Sequence, residues 1–192
     1  VGKTIADIVM FNGISRAFEI KTEYDSPRRL TEQLANYKRL FDKCYLVIPE
    51  GLYDAYNKSL DSSVGIILMK AQGTRLSLHE IRPASYNDCF DVKLMMSCLR
   101  TKEYINITKS LGFSVDGISG YESYDYCMTK IAQAGINAVK PLFLAEVEKR
   151  KNNTCLLNKC PMPIRQMVLS LNLTPCKTEK LISKLKSNIY KQ

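Results

Sequence analysis

The chain has 192 residues, 45% of them hydrophobic and 24% charged, and a formal net charge of +9. These totals are ordinary for a globular soluble protein, and the length is enough for one domain, or one domain with a helical extension, around a proper core. No apolar run is long enough to span a bilayer, so a membrane partner is not expected.

No secretory-signal pattern opens the sequence, and Val1 stands where a Met would begin a complete chain, so a fragment or processed product is expected. Seven cysteines occur without a CxxC pair, and the only histidine is His79. Four-coordinate zinc needs closely spaced ligand pairs, so reduced, mostly buried thiols in a cytoplasmic protein are expected instead. A lone histidine also argues against histidine-based catalysis. The charge is localised. Residues 1–148 hold 18 Lys+Arg and 18 Asp+Glu, whereas residues 149–192 hold ten Lys+Arg against one acid, Glu179. Such an excess is the footprint of a polyanion partner, nucleic acid before anionic membrane, although a solvated helix face would also carry it.

In chain order, "TIADIVMF" reads as a strand covered on both faces, Asn12-Gly13 as a hairpin turn, and "SRAFEIKTE" as the returning strand. "YDSPRRLTEQLANYKRLFD", residues 24–42, predicts a helix capped by Ser26, with Pro27 at its first position and a stripe of Leu30, Leu34, Tyr37 and Phe41. "KCYLVIPE" is a short buried strand, "LYDAYNKSL" a helix and "VGIILMKA" a strand. Gln72-Gly73 then turns the chain into "TRLSLHEIRPA", an alternating edge strand. After Pro83 the pattern turns helical over 91–113, passes through a glycine-bearing loop, and resumes over 125–151 with Pro141 as a kink or break. Two amphipathic helices, 164–173 and 175–191, flank Asn172-Leu173-Thr174 and resemble a helix-turn-helix in outline. Lys177, Lys180 and Lys184 share a face of the second and would meet phosphates; packing of both helices with lysines extended into solvent is the competing reading.

The first hairpin carries charges where plain core is expected. Glu19 and Lys21 point to one face of the second strand, and antiparallel pairing brings Asp7 near Glu19. Two carboxylates held together repel unless a cation lies between them or one stays protonated, and magnesium is the natural cation because it prefers oxygen ligands. A lysine beside such a site would orient a metal-bound water. The alternative is a salt bridge of Lys21 with Glu19 or Asp7 on an exposed face.

The D-x11-E-x-K pattern on a hairpin, followed by a helix with Gln33 and Tyr37 as Q-x3-Y, resembles the PD-(D/E)XK nuclease superfamily, in particular small bacterial members. The resemblance implies an α/β fold, a restriction-endonuclease-like mixed sheet flanked by helices, followed by a helical C-terminal region. It implies a nuclease core over 1–86 and a helical, basic region over 87–192. It implies a metal-dependent nuclease hydrolysing DNA phosphodiester bonds, with magnesium (or manganese) on Asp7, Glu19 and the Ile20 carbonyl. Lys21 would then hold the attacking water, with Gln33 and Tyr37 positioning DNA or the Lys21 ammonium. An upstream acidic residue found in many members has no counterpart among the six residues before Asp7. Other readings are a non-catalytic nucleic-acid-binding module on the same fold, an RNA-cleaving toxin accompanied by an inhibitor protein, and a protein-interaction adaptor. A homodimer would suit cutting of both strands, and DNA is expected over RNA.

Overall fold

The computed structural model describes residues 5–73, 75–150, 160, 165 and 174–189. The chain forms two compact units, Val1–Lys149 and Arg150–Gln192. The boundary expected between 86 and 87 does not coincide with that division, because helices after residue 86 share the first unit's core.

The first unit is α/β, with a five-stranded mixed sheet in the order β1-β2-β3-β4-β5. Its strands are β1 (Ile8–Phe11), β2 (Ser15–Ile20), β3 (Lys43–Pro49), β4 (Gly65–Gln72) and β5 (Arg75–Arg82). The β1–β2 and β4–β5 pairs are antiparallel hairpins; β2–β3 and β3–β4 are parallel. Parallel neighbours need crossovers, supplied by α1 (Leu30–Lys38) and α2 (Tyr53–Asn57). The central β3 is buried from Cys44 to Ile48, which explains its unbroken apolar run.

The remaining helices of this unit are α3 (Val92–Cys98), α4 (Thr101–Ser110), α5 (Ser123–Ala134) and α6 (Ile136–Glu148). Met95, Met96, Tyr104, Ile107, Cys127, Ile131, Val139, Phe143 and Val147 from these helices join the sheet's Ala17, Leu46, Ile48 and Ile66 in one core. Phe11 links the parts, its ring lying 6.3 Å from both Phe41 and Phe143.

Three helix boundaries differ from expectation. The helix expected over 24–42 is a 3-10 turn at Pro27–Arg29 followed by α1, which stops at Lys38. Leu40 and Phe41 close that end by donating their backbone N–H groups to Tyr37 O at 2.9 and 2.8 Å, and Asp42 is drawn into the sheet's contacts. The run over 91–113 is two helices, broken where Leu99 is extended, with Glu103 accepting the Arg100 N–H at 2.7 Å. The break in the next run falls at Gly135 (φ 79°), and Pro141 lies inside α6. Glycine tolerates positive φ, so the chain turns there rather than at the proline.

In the second unit the described helix is Pro175–Ile189, with Thr178 and Ile182 buried and Ile182 clustered with Cys160. The helix expected over 164–173, apart from residue 165, lies outside the described residues, and with it the helix-turn-helix outline. Among the described residues no helix is long and apolar enough to cross a membrane. Among the described residues, Cys44, Cys89, Cys127 and Cys176 are free thiols.

Candidate functional site

Along β2 the burial alternates, with Ser15, Ala17 and Glu19 buried and Arg16, Phe18 and Ile20 half-buried. Lys21 continues the buried series and extends the parallel ladder by donating its N–H to Val47 O at 2.9 Å. The charged face of the hairpin therefore points inward, beneath α1, rather than to solvent as the exposed salt-bridge alternative had it. Gln33 and Tyr37, one turn apart on α1, meet it there.

Glu19 is 2% exposed. Its Oε1 accepts from Lys21 Nζ at 2.8 Å and from Gln33 Nε2 at 2.7 Å, and its Oε2 accepts from the Tyr37 hydroxyl at 2.7 Å. Lys21 Nζ also donates to Gln33 Oε1 at 3.2 Å, which closes a triangle of Glu19, Lys21 and Gln33. The Tyr37 hydroxyl lies equally close to Ile5 O, at 2.8 Å, so one proton serves two acceptors. Burial, followed by the hydrogen bond and negative charge of Glu19 and then the charge of Asp7, pushes the Tyr37 phenol well above its usual value. It stays a proton donor at any physiological pH. A buried ion pair is tolerable only when its remaining hydrogen-bonding capacity is met, and here both carboxylate oxygens are satisfied.

Asp7 lies at the exposed mouth of the same hairpin. The register Ile8↔Phe18 sets it across from β2, and its Oδ2 accepts the Ile20 N–H at 2.8 Å. The structure thus brings Asp7, Glu19, Lys21, Gln33 and Tyr37 together, with Ile20 as the backbone between them. Among the described residues no group of three or more His, Cys, Asp or Glu side chains is arranged to hold a metal ion. Lys177, Lys180 and Lys184 are exposed on the helix Pro175–Ile189, opposite buried Thr178 and Ile182.

A second polar cluster escaped the sequence reading. Asp42, 2% exposed, accepts from Ser15 N and Ser15 Oγ, each at 2.7 Å, and returns its own N–H to Ser15 Oγ at 2.9 Å. Its other oxygen pairs with Lys140 of α6, whose ammonium also lies 3.8 Å from the Phe90 ring centroid. Burial raises the Asp42 carboxyl, but the Lys140 and Ser15 hydrogen bonds outweigh it and hold the group below the usual carboxylate range. At the hairpin tip, Gly13 donates its N–H to Glu148 Oε1 at 2.7 Å. In both cases the partner is on a distant helix, and nothing local in the sequence announces it.

A family model described as "Bacteriophage P4 protein cII" matches residues 1–173. One curated relative, "Protein cII" of Enterobacteria phage P4, is 22% identical over 150 residues, covering 78% of this chain and 55% of its own length. The chain therefore spans about half the length of that relative. No solved structure matches.

These matches overturn the PD-(D/E)XK resemblance, and with it the bacterial nuclease, the magnesium-dependent phosphodiesterase and the RNA-cleaving toxin. The pattern that suggested them is short. A hairpin whose buried acid is answered by a lysine two residues on satisfies D-x11-E-x-K without hydrolytic chemistry, and the Glu19–Lys21 pair is such an arrangement.

Proposed function

The chain belongs to the bacteriophage P4 protein cII family, and from that premise we propose that it is a non-catalytic nucleic-acid-binding protein contacting the phosphate backbone through its basic C-terminal region. The observation that carries this reading is the confinement of the charge excess to residues 149–192, ten basic side chains against Glu179. The exposure of Lys177, Lys180 and Lys184 along one stretch of helix supports it. Lysines are point charges that bind phosphates without reading sequence. Each contact releases condensed counterions, so affinity falls steeply with salt. The reading takes DNA before RNA and a cytoplasmic setting, and it needs neither a second copy nor an inhibitor.

The finer fold expectation, a restriction-endonuclease-like sheet, is part of the same proposal as a matter of topology alone: an antiparallel hairpin, a helix and a parallel third strand support it. Magnesium or manganese would take the carboxylates of Asp7 and Glu19 and the Ile20 carbonyl, all hard oxygen donors. The donor set fits poorly as it stands, since both Glu19 oxygens already hold hydrogen bonds. Uptake of the ion would displace Lys21 or Tyr37, and no chemistry is assigned to it.

The test is binding of the full chain to a mixed-sequence DNA duplex and single strand, followed by fluorescence anisotropy across a salt series. Affinity that drops linearly on a log-log plot supports the reading. Absence of binding at low salt overturns it.

A further inference from the structure

We propose that the β4–β5 ribbon is a sequence-reading arm that enters the major groove of B-form DNA with its polar face, led by Gln72 and Arg75; this rests on the nucleic-acid reading above. At its base the ribbon is ordinary sheet, with Gly65, Ile66 and Leu68 buried. Towards its tip both faces emerge from the core: Ala71 and Gln72 are exposed, and so is every residue from Arg75 to Ile81. A strand that merely closed a sheet would bury alternate residues; this one buries none.

The register sorts the exposed side chains. Lys70 pairs with Ser77, and Gln72 with Arg75. Directly paired residues share a face, so Lys70, Gln72, Arg75, Ser77 and His79 lie on one side, while Met69, Ala71, Leu76, Leu78 and Glu80 lie on the other. The polar face carries no carboxylate of its own. Lys70 there pairs with Glu50 at 2.7 Å, and Ser77 Oγ is held by Lys70 O at 3.3 Å and His79 Nε2 at 3.2 Å. Gln72 and Arg75 make no side-chain hydrogen bond to any described residue. They flank the turn at Gly73 (φ 60°), at the end that would penetrate deepest.

Size and chemistry agree with one occupant. Strands lie about 4.8 Å apart, and a two-stranded ribbon fits a major groove about 12 Å wide. Arginine reads guanine and glutamine reads adenine through paired hydrogen bonds at the base edge. The deep, narrow major groove of A-form RNA does not admit such an arm. The ribbon thereby supplies what the C-terminal lysines lack, side chains able to distinguish one base pair from another.

The experiment is a selection by the full chain from a pool of duplexes with a randomised core, followed by affinities for the enriched duplex and a mixed-sequence duplex. The wild type is expected to enrich a motif. A Gln72→Ala/Arg75→Ala double variant, whose folding is checked by thermal melting, is expected to lose about tenfold or more of that discrimination while holding mixed-sequence binding within about threefold. The proposal is overturned if the wild type binds the mixed duplex in a salt-dependent way yet enriches nothing, an outcome that leaves the nucleic-acid reading standing. It is also overturned if the double variant discriminates like the wild type. Loss of discrimination in Leu76→Ser/Leu78→Ser, but not in the double variant, would assign the arm to a protein surface or a second copy instead. Failure of the wild type to bind any duplex removes the nucleic-acid reading itself.

Discussion

The Tyr37 hydroxyl, on α1, donates to Glu19 Oε2 at 2.7 Å in β2, so the helix is fastened to the sheet through a buried acid. Lys21 balances that acid at 2.8 Å. Removing the lysine leaves Glu19 charged and uncompensated among core residues. Lys21→Met is expected to cost about 3–5 kcal/mol of stability, and Lys21→Met combined with Glu19→Gln to recover much of it. Urea unfolding of the single and double variants checks this; equal stability of wild type and Lys21→Met would show the pair to be inconsequential.

Asp42 sets an acid limb on stability. Its folded carboxyl titrates below the ordinary value of 3.8, so its contribution is complete above that value and is lost as pH falls through the folded pKa. The unfolding midpoint of the wild type is expected to drop as pH falls below about 4, the ordinary carboxylate value. Asp42→Asn should start lower at pH 7 and fall less over the same range. Parallel curves for the two proteins would remove Asp42 from the account.

Thiol chemistry should follow burial. Burial pushes the Cys44 thiol up to about 12, against an opposing hydrogen bond from Asn87. Cys89 and Cys176 are exposed. Alkylation of the native protein at pH 8, followed by mass spectrometry, is expected to label Cys89 and Cys176 while sparing Cys44 and Cys127 until denaturant is added. Rapid native labelling of Cys44 would contradict the packing of β3.

Gly65 has no room for a methyl group. A Cβ there would lie 2.3 Å from the Tyr45 ring and 2.8 Å from the Ala84 backbone nitrogen, whereas one at Gly51 would meet nothing within 4 Å. The Tyr45 ring is itself stacked on Phe18 at 5.3 Å and cannot easily move away. Gly65→Ala should destabilise by about 1–3 kcal/mol, with Gly51→Ala within about 0.5 kcal/mol of wild type. Thermal denaturation of the two variants makes the comparison.

The C-terminal lysines should act through salt. Replacing Lys177, Lys180 and Lys184 together by alanine is expected to reduce the slope of log affinity against log salt by about 2–3, without altering base preference. An unchanged slope would place the phosphate contacts elsewhere.

Local rules marked the first hairpin's turn at Asn12-Gly13 and put Glu19 and Lys21 on one face, but the expected cover on both faces of its first strand fails, since Ile8, Val9 and Met10 are exposed at the sheet edge. The i, i+4 spacing likewise placed Gln33 and Tyr37 on one face of α1, and the alternation of 75–82 marked an edge strand. The function drawn from the hairpin's charges failed because one charge pattern serves both a cation site and a self-contained ion pair. Period-two alternation puts charges on one face of a strand but does not say which helix will cover that face. The Asp42–Lys140 pair was illegible for another reason, its members being separated by most of the first unit. The end of α1 was missed because Leu40 and Phe41 continue an apolar spacing that a closing turn uses equally well.

The tie between Gly13 and Glu148 has a consequence for synthesis. Both fastenings of the first hairpin's turn end, this one and Asp42–Lys140, come from α6. A nascent chain that has emerged only as far as β5 holds every strand of the sheet but neither clasp, with the Asp42 carboxylate still lacking its cation. The N-terminal hairpin is therefore expected to be among the last parts to lock, after α6 leaves the ribosome. Arrested chains that expose the sheet through β5 but not α6 should accordingly be protease-sensitive within residues 5–23, and chains that expose all of α6 should be resistant there.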